Sequence, residues 1–321
     1  MTPISRRKLV LAGAFGACVP MAQAQADYPN RPIQLVHGFG AGGNADQVAR
    51  LIGLKLQGAL KQPVVVVIRA GAGGSIATNS VTKAAPDGYN LLMLTGAHTV
   101  SAALRKNLPY DPIKDLSFIS GVTRFPFVIA VRSEHPARTL AQLIEQSRKE
   151  PASFTSVGVG STQHIVGELL SSAAGLKMLH VPYRGGGAPI QAVMGGEADL
   201  LVDTLSVALP HIQSGRLRAL AVTSATPWSS LPEVPPVAVT LPGFEVHSWL
   251  ALAAPAGTPE SVVKGLNTAL REVLQNAEVS KTLGGMGSMA APSTPEALQA
   301  QVVGEIHRWR EVISQRGIQT E

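Results

Sequence analysis

Two glycine-rich turns carry residue types and spacings that could hold a small anion. The first lies in IQLVHGFGAGGNADQVARL (33–51), where Gly38, Gly40 and Gly43 satisfy the pattern G-x-G-x-x-G. Glycines at this spacing let a backbone approach a phosphate at the start of a helix, as in dinucleotide-binding folds. On its own the pattern is weak evidence, so the chemistry depends on the residues around it.

A nucleotide interpretation of this turn has one supporting and one opposing residue. No Asp or Glu occurs between Asp46 and Asp87, whereas Arg69 ends the next apolar strand, where an NADP site has a basic residue. Asp46, however, would stand in the first turn of the helix that meets the pyrophosphate, and its carboxylate would repel phosphate. An exported NADP-dependent oxidoreductase is therefore the less favoured alternative.

The second turn lies in FTSVGVGSTQHIVGELL (154–170) and repeats the order of strand, turn and helix. Gly158 and Gly160 precede Ser161 and Thr162, whose hydroxyls either cap the helix or bond to a ligand. The free N–H groups and partial positive charge of a helix start suit a small anion. Two such turns, in two different α/β halves, predict opposed anion sites across a cleft, with a carboxylate as the natural ligand.

These residues do not predict catalysis. A serine hydrolase places its nucleophile in G-x-S-x-G, a pattern that the sequence lacks. Ser161 and His164 lie three residues apart, a spacing that by itself neither orients a base nor supplies an oxyanion hole. The histidines show no metal-like spacing. We therefore expect a protein that is not an enzyme and that holds neither a metal nor a cofactor.

Short apolar strands alternate with longer helical patterns along most of the chain. Strands are predicted at 33–36, 64–68, 91–94, 127–131, 178–181, 200–202, 217–222 and 250–254, and helices at 45–60, 140–148, 165–174, 189–194 and 295–315. This alternation is typical of α/β architecture with mostly parallel sheets covered on both faces. The all-apolar VVVVI (64–68) fits a fully buried central strand. Thr258 and Thr294, each followed by Pro and Glu, are expected to cap two late helices.

Two proline- and glycine-rich connections, near 122–127 and 244–249, are interpreted as crossovers between domains. They predict one domain from 27–124 and 248–321, built from both ends of the chain. The second domain would be 125–247.

The first 26 residues have the pattern of a bacterial secretory signal peptide. A basic start at Arg6, Arg7 and Lys8 precedes an apolar run and the small-residue segment AQAQA. SRRKLVL also resembles a twin-arginine motif, and the sequence does not separate this route from Sec export. The only cysteine, Cys18, lies in this segment, so the processed chain would have no disulfide. The expected location is the periplasm.

The amino-acid composition argues against several classes of partner and site. Removal of three basic residues with the signal peptide lowers the net charge from +6 to +3, too small an excess to predict a nucleic-acid partner. No later stretch has the roughly 18 uninterrupted apolar residues of a membrane span. Aromatic residues make up 4% of the chain, so an aromatic-lined sugar or base-stacking site is not expected.

Across the whole mature chain, the sequence resembles the Bug family, the periplasmic solute-binding proteins of tripartite tricarboxylate transporters. The similarity rests on four long segments: VIRAGAGGSIATNSVTKAAPDGYNLL, NLPYDPIKDLSFIS, HVPYRGGGAPIQAVMGGEADLLVDTLSVALPHIQSGRLRALAVTS and SWLALAAPAGTP. The resemblance implies an α/β fold of the type II periplasmic-binding kind. Two α/β domains would be joined by a hinge and would close on a ligand in the cleft between them.

The resemblance also implies ligand-binding residues. In the family the first turn usually reads V-P-F-x-P-G-G-x-x-D, and glycine here stands where prolines stiffen the loop, which predicts a more mobile or reshaped loop. The second carboxylate loop resembles 158–162, and a third family segment matches LLVDTLS (200–206). His98 follows a strand at an edge where α/β sites form. The expected ligand-binding residues are Phe39, Ala41, Gly42, Gly43, Asp46, His98, Gly160, Ser161, Thr162 and Asp203.

The expected function is capture of a small mono- or dicarboxylate and its delivery to the membrane subunits of a permease, by a monomeric protein. The alternative from another class is a ligand sensor whose closed form engages a receptor kinase, since that role needs the same closing cleft. The identity of the ligand is not predicted, because backbone anion sites recognise a carboxylate and not the body attached to it.

Overall fold

A computed structural model describes residues 28–318, and the predicted signal peptide lies outside this range. The strands are β1 (Ile33–His37), β2 (Val64–Ile68), β3 (Asn90–Thr95), β4 (Leu116–Arg132), β5 (Ser153–Ser156), β6 (Leu179–Pro182), β7 (Leu200–Thr204), β8 (Leu217–Val222), β9 (His247–Pro255) and β10 (Met289–Ala290). The helices are α1 (Asn44–Leu60), α2 (Ser75–Thr82), α3 (Ala97–Leu104), α4 (Leu140–Lys149), α5 (Thr162–Ala173), α6 (Ala188–Met194), α7 (Leu205–Gln213), α8 (Glu260–Gln275), α9 (Ala277–Gly285) and α10 (Pro295–Arg316).

The strands follow the order β2-β1-β3-β9-β4-β7-β5-β6, and β8 and β10 also pair with β4. β1 lies parallel to β2 and β3, and β5 lies parallel to β6 and β7. β4 and β9 run antiparallel to each other and to their further neighbours. The predicted α/β class is confirmed, but the sheet is mixed rather than mostly parallel because these two long strands run against the rest.

The long strand β4 connects the two halves of the sheet. Its residues 116–126 pair with β9, whereas residues 127–132 pair with β7 and β8. We call β1, β2, β3 and β9, with the helices packed on them, lobe 1, and β5 to β8, with α4 to α7, lobe 2. The change of partner falls at the first predicted crossover. The exact division into 27–124, 125–247 and 248–321 stays a prediction.

The strand β2 lies at the edge of the sheet, so its expected position at the centre is wrong. Within the described residues it pairs only with β1. Val64 and Val66 face Gly53 of α1, whereas Val65 and Ile68 are 50% and 38% exposed. A run that is apolar on both faces has no period of two, so the sequence could not distinguish an edge strand from a buried one.

The two late helices begin differently. Thr294 caps α10 as expected, because its hydroxyl accepts a hydrogen bond from Ala297 N at 3.2 Å. The cap prediction for Thr258 is wrong: α8 begins at Glu260, and the Thr258 hydroxyl donates to the Pro255 carbonyl at 2.7 Å. No helix among residues 28–318 combines the length and apolar character needed to cross a bilayer.

Candidate ligand cleft between the two lobes

A cavity lies between the lobes, at the starts of α1 and α5. The space between protein atoms there measures about 470 Å³, including the part open to solvent. Both lobes and the connecting strands contribute to its wall. The lining residues are Phe39, Gly43, Asn44, Ala45, Thr95, Ala97, Phe125, Phe127, Val157, Thr162, Gln163, Gly186, Asp203, Thr204, Val207, Ser248 and Leu250.

The start of α1 presents uncapped backbone donors to this cavity. Gly43 precedes the helix in an extended conformation, and no side chain accepts from the first-turn N–H groups. Asn44 and Ala45 open the helix and line the cavity. Because the first N–H groups of a helix have no partner within the helix, they are available to an anion, which the helix dipole also favours.

Asp46 and His37 form hydrogen bonds with the backbone of the loop before α1. The Asp46 carboxylate accepts from Gly42 N at 2.9 Å and lies 3.0 Å from Arg50 and 3.2 Å from His37 Nε2. Burial raises the pKa of Asp46, but these hydrogen bonds outweigh it, and the net pKa is lowered. Phe39 N donates to His37 Nδ1 at 3.4 Å, so the neutral ring donates from Nε2 to Asp46. Burial lowers the pKa of His37, which fits this neutral form.

Gly38 has a steric reason to be glycine. A Cβ placed on it would lie 2.4 Å from the Cα of Gly74, which belongs to the neighbouring loop of the same lobe. The close approach of these two backbones therefore requires glycine at 38. The greater mobility expected of the glycine-rich loop stays a prediction.

The start of α5 faces the cavity from lobe 2. The Ser161 hydroxyl accepts from His164 N at 3.2 Å, so Ser161 is the N-cap of the helix and is completely buried. Thr162 and Gln163, the next two residues, line the cavity. Gly160 precedes the cap with a φ of +80°, a conformation that favours glycine. The cap therefore leaves the N–H groups of Thr162 and Gln163 available to a ligand.

The two lobes contact each other across the cleft, and each contact involves at least one backbone group. Gly40 of lobe 1 and Gly185 of lobe 2 form a single parallel β-bridge. The Ser101 hydroxyl of α3 donates to the Gly160 carbonyl at 3.2 Å. A Cβ on Gly43 would lie 3.6 Å from Gly186 N. These contacts describe a closed arrangement, in which both helix starts converge on one cavity.

Two side chains in the wall have buried polar atoms with no partner among residues 28–318. Asp203 is 2% exposed; its Oδ1 accepts from Gln163 Nε2 at 3.2 Å and from Thr204 N at 2.8 Å, whereas Oδ2 accepts no hydrogen bond. Both amide atoms of Asn44, which is 8% exposed, are also unpartnered. Burial raises the pKa of Asp203 to about 6, although its hydrogen bonds oppose the change. Leaving such groups unsatisfied is costly, so a ligand that pairs with them gains affinity.

Asp203→Asn is expected to raise the unfolding temperature of the unliganded protein by a few degrees near pH 7.5, but not near pH 4. The folded state keeps the Asp203 proton up to about pH 6, whereas the unfolded chain loses it near 3.8. The free energy of unfolding therefore falls between these values and stays low above them. Asparagine stays neutral, and its oxygen can still accept from Gln163 and Thr204. Thermal unfolding of both proteins at the two pH values measures this; equal temperature differences would contradict it.

The structure brings four of the ten expected ligand-binding residues to the cavity wall: Phe39, Gly43, Thr162 and Asp203. Five others lie outside the wall: Ala41, Gly42, Gly160 and Ser161 in the same two loops, and Asp46 in the first turn of α1. His98 lies apart, 4% exposed, with its ring stacked on Tyr110 and its Nε2 2.9 Å from the Pro112 carbonyl. Burial lowers the pKa of His98 to about 4. Direct ligand contact by any of the ten stays a prediction.

Several wall residues were not expected from the sequence. Phe125 and Phe127 line the cavity beside the expected Phe39, although the low aromatic content argued against an aromatic-lined sugar or base-stacking site. Phe125 and Phe127 lie within the predicted crossover at alternate positions of β4, a spacing that places both side chains on one face. Asn44 and Gln163 directly follow the expected residues Gly43 and Thr162. Because Asn44 and Gln163 lie in the first turn of their helices, that position could have identified them as wall residues from the sequence.

The family model for the tripartite tricarboxylate transporter family receptor matches residues 48–318 of this chain. Protein BugT of Bordetella pertussis is 34% identical over 318 residues, which cover 97% of this chain and 98% of BugT. Over this length, such identity extends through both lobes and both glycine-rich turns.

Solved structures agree with this assignment. The structure of periplasmic binding protein BugD has a TM-score of 0.88 at 32% identity, covering 92% of this chain and 100% of BugD. Rhodopseudomonas palustris Rpa4515 with adipate has a TM-score of 0.88 at 32% identity, covering 91% and 99%. MatC of the same species, with bound malate, has a TM-score of 0.84 at 31% identity, covering 89% and 100%. The chain thus belongs to the Bug family, the periplasmic solute-binding receptors of the tripartite tricarboxylate transporter type.

Proposed function

We propose that the protein captures a small carboxylate in the cleft between its lobes and delivers it to a membrane permease of the tripartite tricarboxylate type. The observation that carries this proposal is the convergence of two helix starts, α1 and α5, on one cavity. A carboxylate has two oxygens that can accept hydrogen bonds from both helix starts at once. Bridging water can complete the contacts, without any basic side chain.

Two similar proteins support a carboxylate as the ligand class. Rpa4515 binds adipate and MatC binds malate in their structures, and each shares the fold of this chain along most of its length. Because recognition through backbone N–H groups depends on helix starts rather than on particular side chains, relatives can retain it as their sequences diverge.

Closure of the lobes links binding to delivery. The Gly40–Gly185 bridge forms only when the lobes meet, so a membrane partner can distinguish the closed form from the open one. In this proposal the protein works in the periplasm as a monomer, after export directed by its first 26 residues. The permease subunits accept the ligand when they bind the closed form.

Thermal unfolding in the presence of candidate ligands tests the binding step. At 100 times its Kd, a ligand adds about 2.7 kcal/mol to the free energy of unfolding. We expect stabilisation by at least one mono- or dicarboxylate, and none by NADP. Stabilisation by NADP alone would overturn the proposal.

Uptake tests the delivery step. Cells that carry the permease should accumulate the stabilising carboxylate faster when this chain is present in the periplasm. Uptake that does not depend on the chain, combined with tight binding, would favour the sensor role over transport.

A further inference from the structure

Part of the wall of the cleft is apolar. Phe125 and Phe127 form an edge-to-face pair, with ring centroids 6.1 Å apart and an interplanar angle of 76°. Phe39 lines the cavity from lobe 1, and Val157 and Val207 line it from lobe 2. Aromatic rings in such pairs present faces and edges that favour another ring. The body of the ligand therefore meets rings and methyl groups as well as the polar side chains of the wall.

The wall also has an unusual charge for an anion site. No Lys, Arg or His among residues 28–318 lines the cavity, and Asp203 is the one ionisable side chain in the wall. Its Oδ2 is buried without a hydrogen-bond partner. A second carboxylate on the ligand would meet this acid with no cation to neutralise either group, which is unfavourable in a partly desolvated site.

A hydrogen-bond donor on the ligand would satisfy Asp203 instead. An ionised carboxylate only accepts hydrogen bonds, and a hydroxyl or amine supplies the missing donor. The unpartnered Asn44 amide lies in the same wall and can pair with that same polar group or with the ligand carboxylate. The wall thus combines two helix starts, a group of apolar side chains and the unpartnered carboxylate oxygen of Asp203.

We infer that the ligand of this cleft is an aromatic monocarboxylate that carries a hydroxyl or amino group, and that Asp203 selects it against dicarboxylates. This inference rests on the proposed function and narrows its ligand class. The helix starts bind the carboxylate, the phenylalanines pack against the ring, and Asp203 Oδ2 accepts from the substituent.

Isothermal titration with five probes tests the inference. The probes are 3-hydroxybenzoate, 4-hydroxybenzoate, benzoate, adipate and malate. The better hydroxybenzoate should bind about 10- to 100-fold more tightly than benzoate, the range for a hydrogen bond to a charged group. It should also exceed both dicarboxylates by at least tenfold. Adipate or malate binding as tightly as the hydroxybenzoates would overturn the inference and leave the proposed function standing. Binding of no carboxylate at all would overturn the proposed function itself.

Two variants separate the contributions of charge and ring. Asp203→Asn should reduce the preference for hydroxybenzoate over benzoate to less than about threefold and should improve adipate binding. Phe127→Leu should weaken both aromatic probes and affect adipate less. Glu197→Gln removes an acid from the exposed surface of the same lobe, so it serves as the matched control and should leave every affinity unchanged. Unchanged selectivity in Asp203→Asn, with the protein folded, would remove Asp203 from ligand selection.

Discussion

Replacing Thr162 with proline is expected to weaken carboxylate binding by about 10- to 100-fold while leaving helix α5 intact. Thr162 is the first residue of α5, the one helical position where proline is well accepted. The preceding residue, Ser161, has φ −76° and ψ 159°, the extended conformation that a following proline requires. The substitution therefore removes one N–H donor from the anion site, and a hydrogen bond to a charged acceptor contributes about 1.5–3 kcal/mol.

Isothermal titration measures the affinity, and urea unfolding measures the stability of the same sample. Thr162→Ala is the matched control, because alanine removes the hydroxyl and keeps the N–H. We expect Thr162→Ala to bind within a few-fold of the parent protein. If the proline and alanine variants bind equally well, the backbone of α5 does not hold the ligand.

Replacing Gly40 with valine is expected to lower ligand affinity by at least about tenfold, because the lobes can no longer close fully. A Cβ at Gly40 would lie 3.0 Å from Gly186 N and 3.1 Å from Gly185 C, on the opposite lobe. Valine adds two methyl groups at this contact, and overpacking of this kind costs about 1–3 kcal/mol. The cost applies to the closed form alone, so the unliganded protein should unfold at nearly the same temperature as the parent.

Small-angle scattering with and without ligand follows the closure directly, alongside titration. The parent protein should become more compact with ligand, and Gly40→Val should change less. Gly187→Ala is the control, because its φ is −83° and a Cβ there meets no atom within 4 Å. Full closure and unchanged affinity in Gly40→Val would show that the Gly40–Gly185 contact does not limit binding.

The sequence alone was sufficient for most features that depend on neighbouring residues, and the cap expected at Thr258 is an exception. The cap at Thr294 forms where the pattern predicted it, and the helices after the two glycine-rich turns begin within three residues of their predicted starts. Each is determined within a few residues, because a helix start needs only an extended cap residue and a helical first turn. The alternation of strands and helices, repeated along the chain, likewise predicted the α/β class.

Contacts between distant segments decided the rest. Whether VVVVI lies at the edge or the centre depends on the strands beside it, and its own residues do not specify them. Phe125 and Phe127 line the cleft because β4 changes partner from β9 to β7 at that point. His98 follows a strand, as site residues often do, but its ring stacks on Tyr110 and does not line the cavity.

The chemistry of the cleft thus has two origins. The two helix starts that we propose to bind the carboxylate are local features, so the sequence by itself determined that two of them exist. Their convergence on one cavity, and the meeting of Asp203 and Asn44 there without partners, follow from the docking of one lobe on the other. Docking depends on the packing of whole surfaces, and residues more than a hundred positions apart become neighbours only in the folded chain.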